Sequence, residues 1–160
     1  MSVMLLMLPL HLFAESYVFK YDGDVSLSVD VELFDIKTNT YRDCGGGQIC
    51  IVNNGLAWGN DGQIPVTFVK SITVQLGGKT ISLDASGMYD SGITGDSREA
   101  FQIEHYYADA WKVRGRFSDG AGTYYAEWFI QQQWSSRILI GDSELLHDAF
   151  EQVLGRTTQK

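Results

Sequence analysis

Val25-Ser26-Leu27-Ser28-Val29-Asp30-Val31-Glu32-Leu33 alternates apolar and polar residues without a break. Successive side chains of a β-strand point to opposite faces, so this period of two predicts a half-buried strand. A helix would instead repeat its apolar residues at spacings of three and four. Downstream, Ile72, Val74 and Leu76 alternate, Gly77-Gly78 follows, and Ile81 and Leu83 resume the pattern. Two glycines between alternating runs predict a tight hairpin. Phe101, Ile103, His105 and Tyr107 then alternate up to a turn at Ala108-Asp109, and Trp111, Val113, Gly115 and Phe117 run away from it. After a turn over Ser118 to Gly122 comes a strand from Thr123 to Gln131, and then a short one from Arg137 to Ile140.

The end of the chain has a different period. From Asp142 to Leu154, Leu146, Ala149, Phe150 and Val153 recur at helical spacing. Asp142 or Ser143 is suited to cap the start, and Gly155 stands just past the end. The tail Arg156 to Lys160 is expected to fray. These patterns predict a mainly β fold, an antiparallel sandwich or partly closed barrel of about eight strands with one C-terminal helix. At 160 residues the chain has room for a single domain of ordinary size.

The segment before this domain reads as an address. Met1 to Ala14 carries no charge, and its apolar run Val3 to Phe13 is too short to span a bilayer. The length suits a secretory signal cleaved after Ala14, leaving residues 15–160 as the domain. It departs from the usual pattern in two ways: no Lys or Arg precedes the apolar run, and Leu12 stands three residues before the cut. The competing reading is a buried N-terminal strand or helix. Export agrees with the two cysteines, Cys44 and Cys50, separated by Gly45-Gly46-Gly47-Gln48-Ile49. Three glycines let the chain fold back, so a small disulfide loop is expected. A zinc site would need further ligands, and no second Cys or His pair supplies them.

Charge removes several functions. Twelve Lys and Arg against twenty Asp and Glu give −8. Nucleic acid and anionic lipid both require a basic face, so neither is expected as a partner, and no stable membrane insertion is expected. Catalysis also finds little support. Gly141-Asp142-Ser143 opens a helix as a nucleophile turn would, but an N-cap explains the same residues. His105 lies in phase with Phe101 and Ile103, and His147 lies on the polar side of the helix. Glu104 and Glu127, on neighbouring strands, offer the two carboxylates of a glycosidase, though surface charge is the commoner reason for them. Asp22-Gly23-Asp24 and Asp90 to Glu99 read as solvated turns rather than calcium loops, because the EF-hand spacing is absent. No cofactor, metal or catalytic residue is therefore expected.

What remains is a binder. Tyr106-Tyr107 and Tyr124-Tyr125 are consecutive, so a regular strand would turn one of each pair outward. The acidic balance favours a basic partner. Ile81-Ser-Leu-Asp-Ala-Ser-Gly-Met-Tyr89 and Phe117-Ser-Asp-Gly-Ala-Gly-Thr-Tyr-Tyr-Ala-Glu-Trp128 resemble stretches of small periplasmic immunity proteins from bacterial toxin systems. The resemblance implies an inhibitor that occludes a cognate envelope-acting enzyme. The expected contact residues are Asp90, Ser91, Asp96, Ser97, Arg98 and Glu99 of the polar loop, with Tyr106, Asp119 and Tyr124. The alternative is a carbohydrate- or cell-wall-binding module that stacks sugars on exposed aromatics such as Trp58 or Trp111.

Overall fold

A computed structural model of the chain describes residues 14–154. The proposed signal segment, Gly155 and the tail lie outside the described residues, except Ala14, which begins the first strand.

The quoted alternation is a strand over its whole length, β2 (Val25–Leu33). It lies between β1 (Ala14–Lys20) and β6 (Thr67–Leu76), and β7 (Lys79–Leu83) completes an antiparallel sheet in the order β1-β2-β6-β7. The expected hairpin is present, with Gly77 and Gly78 both at positive φ between the paired residues Leu76 and Lys79. A second antiparallel sheet follows the order β11-β10-β9-β8. It contains β8 (Phe101–Tyr107), β9 (Ala110–Phe117), β10 (Tyr124–Gln131) and β11 (Trp134–Gly141). The last strand starts three residues before the expected Arg137, because Gln131 pairs directly with Trp134 across a two-residue turn.

The two sheets pack face to face as a sandwich. The inner face of the first sheet supplies Leu27, Val29, Ile72 and Val74, and that of the second supplies Val113, Phe117, Tyr124, Ala126, Trp128 and Ile130. All ten are buried. Removing such side chains from water is the main force holding the sheets together. The aromatic rings interlock: Phe117 stacks on Tyr124 at 5.2 Å and meets Trp128 edge-on at 6.2 Å. One open side of the sandwich is pinned where Arg98 Nε donates to the Lys20 carbonyl at 2.9 Å. The opposite side is pinned where Ser135 Oγ donates to the Ser82 carbonyl at 2.5 Å.

A short third sheet, β3 (Tyr41–Asp43), β4 (Ile49–Val52) and β5 (Gly55–Leu56), carries the Cys44–Cys50 bridge. The buried Asn60 anchors it, donating from Nδ2 to the carbonyls of Ile49 at 2.8 Å and Gln63 at 2.6 Å. The helix α1 (Glu144–Leu154) lies on the outer face of the second sheet. Phe150 and Leu154 bury Tyr125 there, helped by Leu139 and Leu146. Ser143 caps the helix: its Oγ accepts from the Leu146 amide at 3.3 Å.

Candidate functional site

The expected contact residues divide between three places. Asp90 and Ser91 are structural. Asp90 Oδ1 accepts from the amides of Val66 at 2.9 Å and Thr67 at 2.8 Å, which holds the start of β6. Ser91 is 2% exposed, and its carbonyl accepts from the Ser118 amide at 2.5 Å. With Ile93 also buried, the first part of this loop is packed rather than free to probe a cleft. Asp96, Arg98, Glu99 and Asp119 are exposed, and Ser97 is half-buried. Arg98 is already occupied by Lys20 and by the Tyr21 ring, whose centroid lies 4.7 Å from the guanidinium. Burial outweighs that cation and pushes the Tyr21 phenol up to about 12.

The tyrosine pairs break the outward-inward expectation in opposite directions. Tyr124 is 0% exposed, so its expected role as a partner contact is corrected: it belongs to the core, with its hydroxyl donating to the Tyr89 carbonyl at 3.3 Å. Tyr125 faces the other way and is buried too, because α1 covers that face. Its hydroxyl meets His147 Nδ1 at 2.5 Å, and burial raises its pKa. Tyr106 and Tyr107 are instead both exposed, at 56% and 74%. The register shifts between His105 and Tyr107, and that bulge frees both side chains from strict alternation.

Beyond the reach of α1, no described element covers the outer face of the second sheet. The Tyr106 ring leans edge-on against Phe129 at 6.2 Å, and Lys112 Nζ stands 4.2 Å from its centroid. Ile138, the extra residue where β11 slips against β10, is exposed on the edge strand. Next to this cluster lies a row of charges. Arg114 donates from Nε to Glu127 at 2.6 Å and from Nη1 to Glu104 and Gln102, each at 2.8 Å. One guanidinium thus ties up both carboxylates proposed as a glycosidase pair. Partial burial opposes the Arg114 charge, but the two glutamates outweigh it and raise its pKa.

The other chemical candidates are similarly occupied. His105 Nε2 lies 2.6 Å from the Ala108 carbonyl and closes the β8–β9 turn. Among the described residues no group of three His, Cys, Asp or Glu is placed to hold a metal ion. No described helix is long and apolar enough to cross a membrane.

An apolar cleft of about 570 Å³ opens beside the small sheet, lined by Leu56, Trp58, Phe68, Met88, Tyr89 and Arg137 among others. Arg137 in it is already paired, through Nη2 to Asp84 at 3.2 Å and Nη1 to the Ser86 carbonyl at 2.6 Å. Trp58, expected as a sugar platform, is half-buried in the wall of this cleft. Trp111, the other, is half-buried against the core with His105 edge-on at 4.9 Å. The most exposed tryptophan is Trp134, at 80%. Its signal in the sequence was the turn Gln132-Gln133, which sets it opposite Gln131 at the head of a strand. The chain matches no known protein family, no curated protein and no solved structure.

Proposed function

We propose that this is an exported binding protein that inhibits a basic, envelope-acting enzyme by covering it, with the open outer face of the second sheet as its contact surface. The observation that carries this reading is the Tyr106–Phe129 pair with Lys112 over it. Exposed aromatics held in a rigid sheet lose little entropy on binding, and such residues dominate the energy of protein interfaces. The net charge of −8 favours a basic partner through steering. The exposed Asp109 lies in the turn that follows Tyr107. The Cys44–Cys50 bridge suits an oxidising compartment, and the periplasm is the one proposed.

The contact residues differ from those the sequence favoured. Asp90 and Ser91 serve the fold, whereas Tyr106 keeps its proposed role. The test is inhibition. The oxidised protein is used to retain envelope and secreted enzymes of its own cell and its neighbours, and each retained enzyme is assayed with increasing protein. A basic enzyme should lose activity at a one-to-one ratio. Tyr106→Ala should weaken that inhibition at least tenfold, about 1.4 kcal/mol. Full inhibition by the Tyr106→Ala variant would remove this face, and the absence of any inhibited enzyme would remove the function.

A further inference from the structure

We infer that the groove between β7 and the β10–β11 turn is a saccharide-binding site with Trp134 as its stacking platform. This groove, of about 580 Å³, is lined by Lys79, Thr80, Ile81, Ser82, Gln133, Trp134 and Ser135. It lies where the edges of the two sheets meet, and the Ser135–Ser82 hydrogen bond fixes one edge to the other. Trp134 is 80% exposed but not loose: its backbone pairs with Gln131, and Gln132 takes the left-handed conformation that the tight turn requires.

The composition of the lining decides the ligand class. One large aromatic face stands among hydroxyls, an amide and a single ammonium. Pyranose sugars present an apolar C–H face with hydroxyls around its rim, which calls for this combination of a stacking ring and mixed donors and acceptors. Ser135 is spent on Ser82, so the Thr80 hydroxyl, the Gln133 amide and the Lys79 ammonium serve the sugar's rim. The lining contains no carboxylate although the chain carries twenty. A basic protein partner would find no charge to pair with here. A sugar loses nothing by that absence, and Lys79 also accepts a carboxylated one. This site shares no residue with the Tyr106–Phe129 face, so it does not depend on the protein-partner reading.

Trp134 is the most exposed of the four tryptophans, and the emission that Trp134→Phe removes is its share of the signal. The full oxidised protein is titrated with three probes: cellotetraose, the tetramer of N-acetylglucosamine, and tetragalacturonate. At least one should shift the emission saturably, with a Kd of about 1 mM or tighter. Trp134→Ala, a surface change that leaves the fold intact, should weaken that binding at least tenfold by calorimetry, and Trp134→Phe should recover part of it. Saturation by none of the three probes would overturn the assignment. So would a Trp134→Ala variant that binds within tenfold of the original protein.

Discussion

The indole Nε1 of Trp128 donates to the main-chain carbonyl of Asp84 at 2.9 Å, so the largest side chain of the core also holds the strap that follows β7. Arg137 reaches the same strap from β11 through Ser86 and Asp84. The strap in turn bridges to the small sheet, where the Trp58 amide donates to the Gly87 carbonyl and the Tyr89 amide to the Trp58 carbonyl, each at 2.9 Å. The Trp128 indole is therefore one of several contacts that link core packing to the walls of the apolar cleft, alongside Arg137 and the core residue Met88.

Trp128→Phe should remove the indole contact while keeping an aromatic ring in the core. The Asp84 carbonyl keeps only the longer contact from Arg137 Nη1, at 3.4 Å, and a small cavity opens, so the expected cost is about 2 kcal/mol. Urea denaturation measures it. Amide exchange at Trp58 and Tyr89 should accelerate in the variant. Unchanged exchange there would mean that the strap is held without the indole.

Gly59 predicts a larger effect from a smaller change. Its φ is +97°, and a Cβ there would overlap the Tyr89 carbonyl oxygen and come within 2.5 Å of Tyr124 Cε1. Neither neighbour can withdraw, since Tyr124 is fully buried against Phe117. Gly59→Ala should cost about 3 kcal/mol or more, from overpacking added to backbone strain. Gly120→Ala is the control: its φ is +55° with nothing within 4 Å, so only the strain of about 1 kcal/mol applies. Equal losses in the two variants would show that contact plays no part at Gly59.

The disulfide should matter locally. It closes a loop with a sequence separation of 6, for which chain entropy gives only about 2 kcal/mol. Reduction, or the double change Cys44→Ser with Cys50→Ser, should therefore loosen the small sheet and spare the sandwich. The Cys44 amide, which donates to the Gln48 carbonyl at 2.9 Å, should exchange faster. Amides of β10 should not change. Loss of the near-ultraviolet signal of the buried Trp128 on reduction would contradict this division.

Parts of this architecture were plain in the sequence because they obey one rule at a time. β2 needs only its period of two, since one of its faces is buried and the other wet. The Gly77-Gly78 hairpin and the capped helix are also local events. Tyr124-Tyr125 departs from strict alternation of exposure because its outcome depends on an element about twenty residues later: α1 covers a face that a two-layer sandwich would leave in water. Tyr106-Tyr107 departs from it because a bulge breaks the alternation, and nothing in the residues there signals a register shift. The aromatic face depends on the bulge before Tyr107 and on how far α1 reaches, neither of which is a property of a single strand. Asp90 was legible as a polar loop residue but not as a clamp on Thr67, more than twenty positions away.

Asp30 supplies the pH dependence. Its two carboxylate oxygens accept from Ser16 Oγ at 2.6 Å and Ser71 Oγ at 2.5 Å, joining β1, β2 and β6 in one row across the first sheet. These hydrogen bonds favour the charged form and hold the carboxyl below its ordinary value of 3.8, against a small opposing effect of burial. The unfolded chain therefore binds the proton more readily than the folded one. The resulting stability is fully present above the ordinary carboxyl value and is lost as pH falls through the lower folded one. Asp30→Asn keeps the shape but removes the charge, and should cost about 1–2 kcal/mol near pH 7. Urea midpoints for both proteins, measured from about pH 7 down to about pH 2, should converge at the acid end. Curves that stay parallel throughout would show that the Asp30 charge does not secure β1 to the sheet.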